Sequence, residues 1–169
     1  MKTIRYLSFI VILILLFGCG KYDQPGDRVV SGKLISNTSC KSFVKSSGPI
    51  NFTPDTISLI EYIYDRENNK LILKHINAGF NCCPDSLFST VELQDNTIRI
   101  EEFEKKALCH CLCLYDLLFE VKGIDRQQYR IRFVEPYAYG LNELIFDIDL
   151  TKETTGAFSV IRKHYPWGI

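Results

Sequence analysis

The chain is poor in the residues and spacings that most catalytic chemistry needs. It has three histidines, one tryptophan and one methionine in 169 residues. No Gly-x-Ser-x-Gly, His-Glu-x-x-His or phosphate-binding glycine loop occurs, so the signatures of serine hydrolases, zinc proteases and nucleotide-binding enzymes are missing. No Cys-x-x-Cys occurs either, which argues against both a zinc knuckle and thioredoxin-like catalysis at a helix N-terminus. Twenty basic residues balance twenty acidic ones, with no long run of one sign, so no field for nucleic acid exists. The longest apolar stretch, 6–17, stops at a glycine well short of the ~20 residues a membrane-spanning helix requires. There is no 20–50-residue repeat and no low-complexity segment, which excludes solenoids and leaves one domain as the simple reading.

What is present begins at the N-terminus. Lys2 and Arg5 precede an apolar run over 10–17 and then Gly18 and Cys19, the order of a secretory signal. Leu16-Phe17-Gly18-Cys19 resembles a bacterial lipobox, in which the signal is cut before the cysteine and the thiol carries diacylglycerol. That resemblance implies a lipoprotein with residues 1–18 as signal peptide and Cys19 as the lipidation site. Acyl chains of the palmitate type would then make the membrane a partner, each buried methylene contributing roughly 0.8 kcal/mol. Gly20 stands where an aspartate would resemble the inner-membrane retention signal of enteric bacteria. The expected location is therefore the cell envelope at the outer membrane, on the periplasmic or the surface side. Residues 19–28, with Pro25 and Gly26, read as a tether, and 29–169 as a single β domain. Removing 18 residues from 169 leaves 151, enough for a sizeable core, and takes away two positive charges and no negative one, for a net charge of −2.

Beyond the tether the apolar pattern has period two, in short runs separated by turn residues. Strands are expected over 29–35, 57–64, 71–76, 91–93, 98–103, 129–133, 144–150 and 157–162. Residues 37–44 suit a short helix capped by Ser36 or Asn37, and 77–84, with Pro84, read as a loop. The stretch 107–121 is expected to be the central strand. Alternation puts Cys109, Cys111, Cys113, Tyr115, Leu117, Phe119 and Val121 on one apolar face, with His110 and Asp116 on the other. Its length predicts a bend or bulge near 113–116. About nine short strands favour an antiparallel β-sandwich, with a closed β-barrel as the alternative.

With Cys19 set aside, six cysteines remain: Cys40, Cys82, Cys83, Cys109, Cys111 and Cys113. Export favours their oxidation. Positions i and i+2 of a strand lie at the outer edge of bridgeable separation, so pairing within the Cys109, Cys111, Cys113 row would be strained. Partners from Cys40, Cys82 and Cys83 leave six connectivities. The expectation is that the Cys82-Cys83 loop is fastened to the cysteine strand, closing a loop of about 25 residues for on the order of 3 kcal/mol. The alternative is a copper or zinc site from Cys82, Cys83, Cys109, Cys111 and Cys113. His75 alternates with Leu71 and Leu73 and reads as a core or boundary residue. Glu101, Glu102 and Glu104 beside Lys105 and Lys106 read as a solvated strand end, with glycoside chemistry as the sharper reading. Tyr137, Tyr139, Tyr165 and Trp167 lie beside proline and glycine and read as plugs at the ends of the sandwich, or else as platforms for a sugar or a partner.

His75-Ile76-Asn77 through Cys83, Cys109 through Leu117, and the terminal Tyr165-Pro166-Trp167-Gly168 together resemble a group of uncharacterised cysteine-rich Bacteroidetes lipoproteins. The resemblance implies no activity, cofactor or ligand. The sequence thus leads to a lipid-anchored, disulfide-stabilised β domain serving as a binding or structural module, non-enzymatic and without a cofactor, for an unknown protein or glycan partner. The alternative is a cysteine-based envelope protein that handles copper or zinc or does redox chemistry.

Overall fold

The computed structural model describes residues 30–41 and 53–168. Cys19, the signal and the tether lie outside them. Nine strands follow in order: β1 (Ser31–Asn37), β2 (Ile57–Asp65), β3 (Lys70–Asn81), β4 (Pro84–Gln94), β5 (Thr97–Ala107), β6 (Leu112–Lys122), β7 (Gln128–Val134), β8 (Ile145–Asp149) and β9 (Thr155–Ile161). They form a five-stranded sheet, β1-β6-β3-β2-β9, and a four-stranded sheet, β4-β5-β7-β8. Their apolar faces pack together as a β-sandwich, not a closed barrel. Leu71 and Leu73 of β3, Phe119 of β6, Ile100 of β5 and Ile131 of β7 are fully buried between the layers. In each case alternation along the strand selects the buried set.

Four expectations are corrected. The cysteine strand is neither central nor as long as 107–121: β6 begins at Leu112 and is second from the edge, and the centre belongs to β3. The loop expected over 77–84 is mostly strand, because β3 runs on to Asn81, paired with Leu112, and β4 begins at Pro84. Proline is tolerated there as the first residue of an edge strand, where its missing N–H interrupts no ladder. Residues 38–41 are not helical, and the rest of the expected short helix lies outside the described residues. One pairing is parallel, β5 with β7, because the chain crosses to the other sheet as β6 before returning beside β5.

The irregularity expected near 113–116 lies on the partner strand. Between Ile76, paired with Asp116, and Ala78, paired with Tyr115, Asn77 bulges out with a φ of 63°. The Asp116 carboxylate accepts its backbone N–H at 3.1 Å, Lys41 donates to its side-chain oxygen at 2.6 Å, and its amide donates to Ile57 O at 2.7 Å. Beyond the bulge Gly79 is bare for a reason: a Cβ there would lie 2.6 Å from the Trp167 ring. Trp167 is buried and donates its indole N–H to Asn77 O at 2.7 Å, so the C-terminal segment is a plug over β3.

Candidate functional site

Two groups of chemically capable side chains stand out. The first lies between the sheets. His75 of β3 meets Ser58 of β2, Glu102 of β5, Glu135 just after β7 and Arg162 just after β9. Each occupies the inward phase of its strand, following Leu71 and Leu73, Ile98 and Ile100, Tyr129, Ile131 and Phe133, or Phe158 and Val160. The His75 ring donates from Nδ1 to Glu102 at 2.7 Å, contacts Ser58 Oγ through Nε2 at 2.8 Å and lies 3.7 Å from Glu135. Arg162 donates to Glu135 and to the Asn142 carbonyl, and its guanidinium lies 5.3 Å from the Trp167 ring centroid.

Burial alone would lower the pKa of His75, but the charge of Glu102, its hydrogen bond and the charge of Glu135 together raise it. Burial likewise pushes the Glu135 carboxyl up. With His75 protonated, two cations face two carboxylates and the group is formally neutral. His75, Glu102 and Glu135 have the donor atoms of a metal site, all within 4.8 Å of one another. Arg162 already supplies the cation at Glu135, so a divalent ion would add like charge to a fully buried set. This is a closed ionic network, in which Glu102 Oε2, Glu135 Oε1 and Arg162 Nε have no hydrogen-bond partner. The expectation of a solvated end at Glu102 is corrected, since it is 2% exposed. Glu101 pairs with Arg99 at 2.5 Å. Glu104 accepts from Tyr137 Oη at 2.5 Å, which pushes that phenol up to about 12, and from Asn81 N at 2.7 Å.

The second group is the cysteine end. Cys82 and Cys83 join β3 to β4, while Cys109 and Cys111 occupy the connection from β5 to β6. Backbone hydrogen bonds hold the two connections together: Cys82 N to Cys111 O at 2.9 Å and Leu108 N to Cys83 O at 3.4 Å. Cys82 is bridged to Cys111 with Cα atoms 5.5 Å apart, and Cys40 to Cys113 at 5.8 Å. Cys40–Cys113 fastens the segment after β1 to the core, and Cys82–Cys111 fastens the β3–β4 connection to the start of β6.

Cys83 and Cys109 are unbridged, the first exposed and the second half-buried. The neighbouring Cys83 thiol, helped by the N–H groups of Cys111, Cys83 and Cys82, holds the Cys109 thiol below its usual range, and Cys109 in turn raises that of Cys83. Cys109 Sγ lies 3.1 Å from Cys111 Sγ and also 3.1 Å from Asn81 Oδ1. The buried Asn81 organises the turn, accepting from Cys83 N at 2.9 Å and donating to Cys109 O at 2.6 Å. The sulfurs of Cys82, Cys109 and Cys111 lie within 4.8 Å of one another, as do those of Cys40, Cys82 and Cys113. Cys82 belongs to both sets, so the sulfurs form a continuous row from the surface into the core.

His110 is exposed beside this row, and Asp116 is engaged by Lys41 at 2.6 Å. Tyr165 clamps the start of β6, accepting from Leu112 N at 2.7 Å and donating to Leu112 O at 2.5 Å. Tyr139 is almost wholly exposed. Sequence reasoning missed Glu135 and Arg162. The available signal was an ionisable residue in the inward phase of an alternating strand, and it occurs at β3, β5, β7 and β9, which meet at one place.

Fold and site together define a disulfide-stapled β-sandwich with a sulfur row at one end and a closed charge network inside. No protein-family model, curated protein or solved structure matches the chain.

Proposed function

We propose that the chain is a lipid-anchored protein of the bacterial cell envelope whose β domain works as a binding or structural module. The observation that supports it most is the pair of bridges, Cys40–Cys113 and Cys82–Cys111, since structural disulfides persist in oxidising, exported compartments. The lipobox-like Leu16-Phe17-Gly18-Cys19 supports export by the same route. For a polar partner such as a glycan, a concavity of about 510 Å³ offers Asn96, Thr97 and Gln128 as neutral hydrogen-bonding groups. Four of its five charged residues are already matched, Arg130 with Asp147 at 2.9 Å and Lys152 with Asp149 at 2.9 Å, and Asp95 is the fifth.

The test is metabolic labelling of the full chain with an alkyne fatty acid in a bacterial host, followed by membrane fractionation. The wild type is expected in the membrane fraction carrying label, and Cys19→Ala is expected to lose both. Equal labelling of the variant, or a wild type in the cytosol with all six remaining thiols free, overturns the reading. A second reading, cysteine-based redox or metal handling in the same envelope, is favoured by one observation: two thiols remain unbridged, one of them, Cys109, against a disulfide.

A further inference from the structure

We propose that Cys83 and Cys109 form a two-electron dithiol–disulfide couple at the mouth of the sulfur row, whose substrate is a disulfide of a small molecule or of a neighbouring protein. The proposal develops the second reading and requires only that the protein meet disulfides, as an exported protein does.

Four observations carry it. Cys83 is exposed, so an incoming disulfide reaches its sulfur, whereas Cys109 is half-buried on the facing connection. Leu108 N and Cys82 N tie the two connections backbone to backbone on either side of this pair. Asn81 grips both residues, accepting from Cys83 N and donating to Cys109 O, and its Oδ1 also meets Cys109 Sγ at 3.1 Å, so one side chain holds the two cysteines at the same turn. Finally, Cys109 Sγ touches Cys111 Sγ at 3.1 Å, which places it against an existing bridge. A metal ion at Cys82, Cys109 and Cys111 would require that bridge to be opened first.

The chemistry balances without any other reagent. The Cys83 thiolate, its proton released to water, attacks one sulfur of the substrate R–S–S–R. A Cys83–S–R bond forms, and the other RS⁻ leaves with the electron pair of the broken S–S bond and takes up a proton. The Cys109 thiolate then attacks Cys83 Sγ, forming Cys83–Cys109 and expelling the second RS⁻, which is protonated in turn. Two electrons and two protons pass from the cysteine pair to the substrate. Exposure assigns Cys83 to the first step although its own thiol is raised, and Cys109, held below the usual range, suits the second, resolving step, because exchange proceeds through the thiolate.

The test uses the purified full-length protein in detergent, with Cys83 and Cys109 reduced, and oxidised glutathione as probe. Differential alkylation and mass spectrometry follow each cysteine. The wild type is expected to gain a Cys83–Cys109 bridge and release two glutathiones, with at most a transient adduct. Cys109→Ser is expected to hold glutathione on Cys83 stoichiometrically, at least tenfold longer, and Cys83→Ser to slow the reaction tenfold or more. Intact Cys40–Cys113 and an unchanged near-ultraviolet circular dichroism spectrum establish that each variant folds. A persistent adduct on wild-type Cys83, independent alkylation of the two thiols, or stoichiometric copper or zinc on the purified protein overturns the proposal. None of these outcomes depends on Cys19, so a failure of lipid anchoring is read separately.

Discussion

The His75 network and the cysteine end are both clusters of reactive groups, and they differ in what remains unspent. In the network every charge is met by another charge from the same group, and His75 and Arg162 have no solvent contact. At the cysteine end four sulfurs are spent on two bridges and two are not, and one of the free pair faces solvent. A buried cluster without access is a structural element however rich its donors. A cluster with one accessible, unspent thiol and a second lying against an existing bridge has the requirements of chemistry.

The comparison is broken most severely at Arg162. Arg162→Met leaves Glu135 buried beside Glu102 without its guanidinium, and a loss of about 3–5 kcal/mol is expected in denaturant unfolding. Adding Glu135→Gln should recover much of it if charge pairing is the cause. Next in size, Cys82→Ala with Cys111→Ala removes a bridge spanning 29 residues and is expected to cost about 3.5 kcal/mol. The same change should leave the His75 network intact, read from its pH dependence.

That dependence is the third prediction. The folded-state pKa of His75 is raised above its unfolded value of 6.5, so its contribution is fully present below 6.5 and is lost as pH rises through the folded value. Glu135, also raised, acts in the same direction from lower pH. The unfolding midpoint is expected to fall as pH increases from mildly acidic to alkaline, and His75→Gln should flatten the alkaline part of that slope. A midpoint that rises with pH would contradict a protonated His75. The smallest effect is expected between the two regions, where Glu104 links Tyr137 to Asn81 N. Tyr137→Phe should cost about 1 kcal/mol and slightly speed alkylation of Cys109 by loosening the turn that Asn81 organises.

Much of the fold was legible because alternation is a local property. The inward sets of β2, β3, β5, β7 and β8 follow from period two, and the pairing of Asp95-Asn96 with a tight turn follows from their tolerance of positive φ, here 47° and 61°. Three features were not legible. The extension of β3 through Asn77 to Asn81 was hidden by a composition that reads as loop, because the Asn77 bulge and the closeness of Gly79 to Trp167 are justified only by partners distant in the chain. The parallel pairing of β5 with β7 depends on where β6 goes. The ionic network required knowing that the inward phases of β3, β5, β7 and β9 converge at one place.

By itself, then, the amino-acid order determined an all-β chain of about nine strands, the apolar faces of its cleanest alternations and a supply of cysteines suited to bridges, because each depends on residues within a few positions of one another. Only the tertiary structure decided which cysteines are joined, which two are left over, and that Glu102 and Glu135 meet His75 and Arg162 in one charge network. Those outcomes depend on distances between strands far apart in the chain, set by sheet order and register.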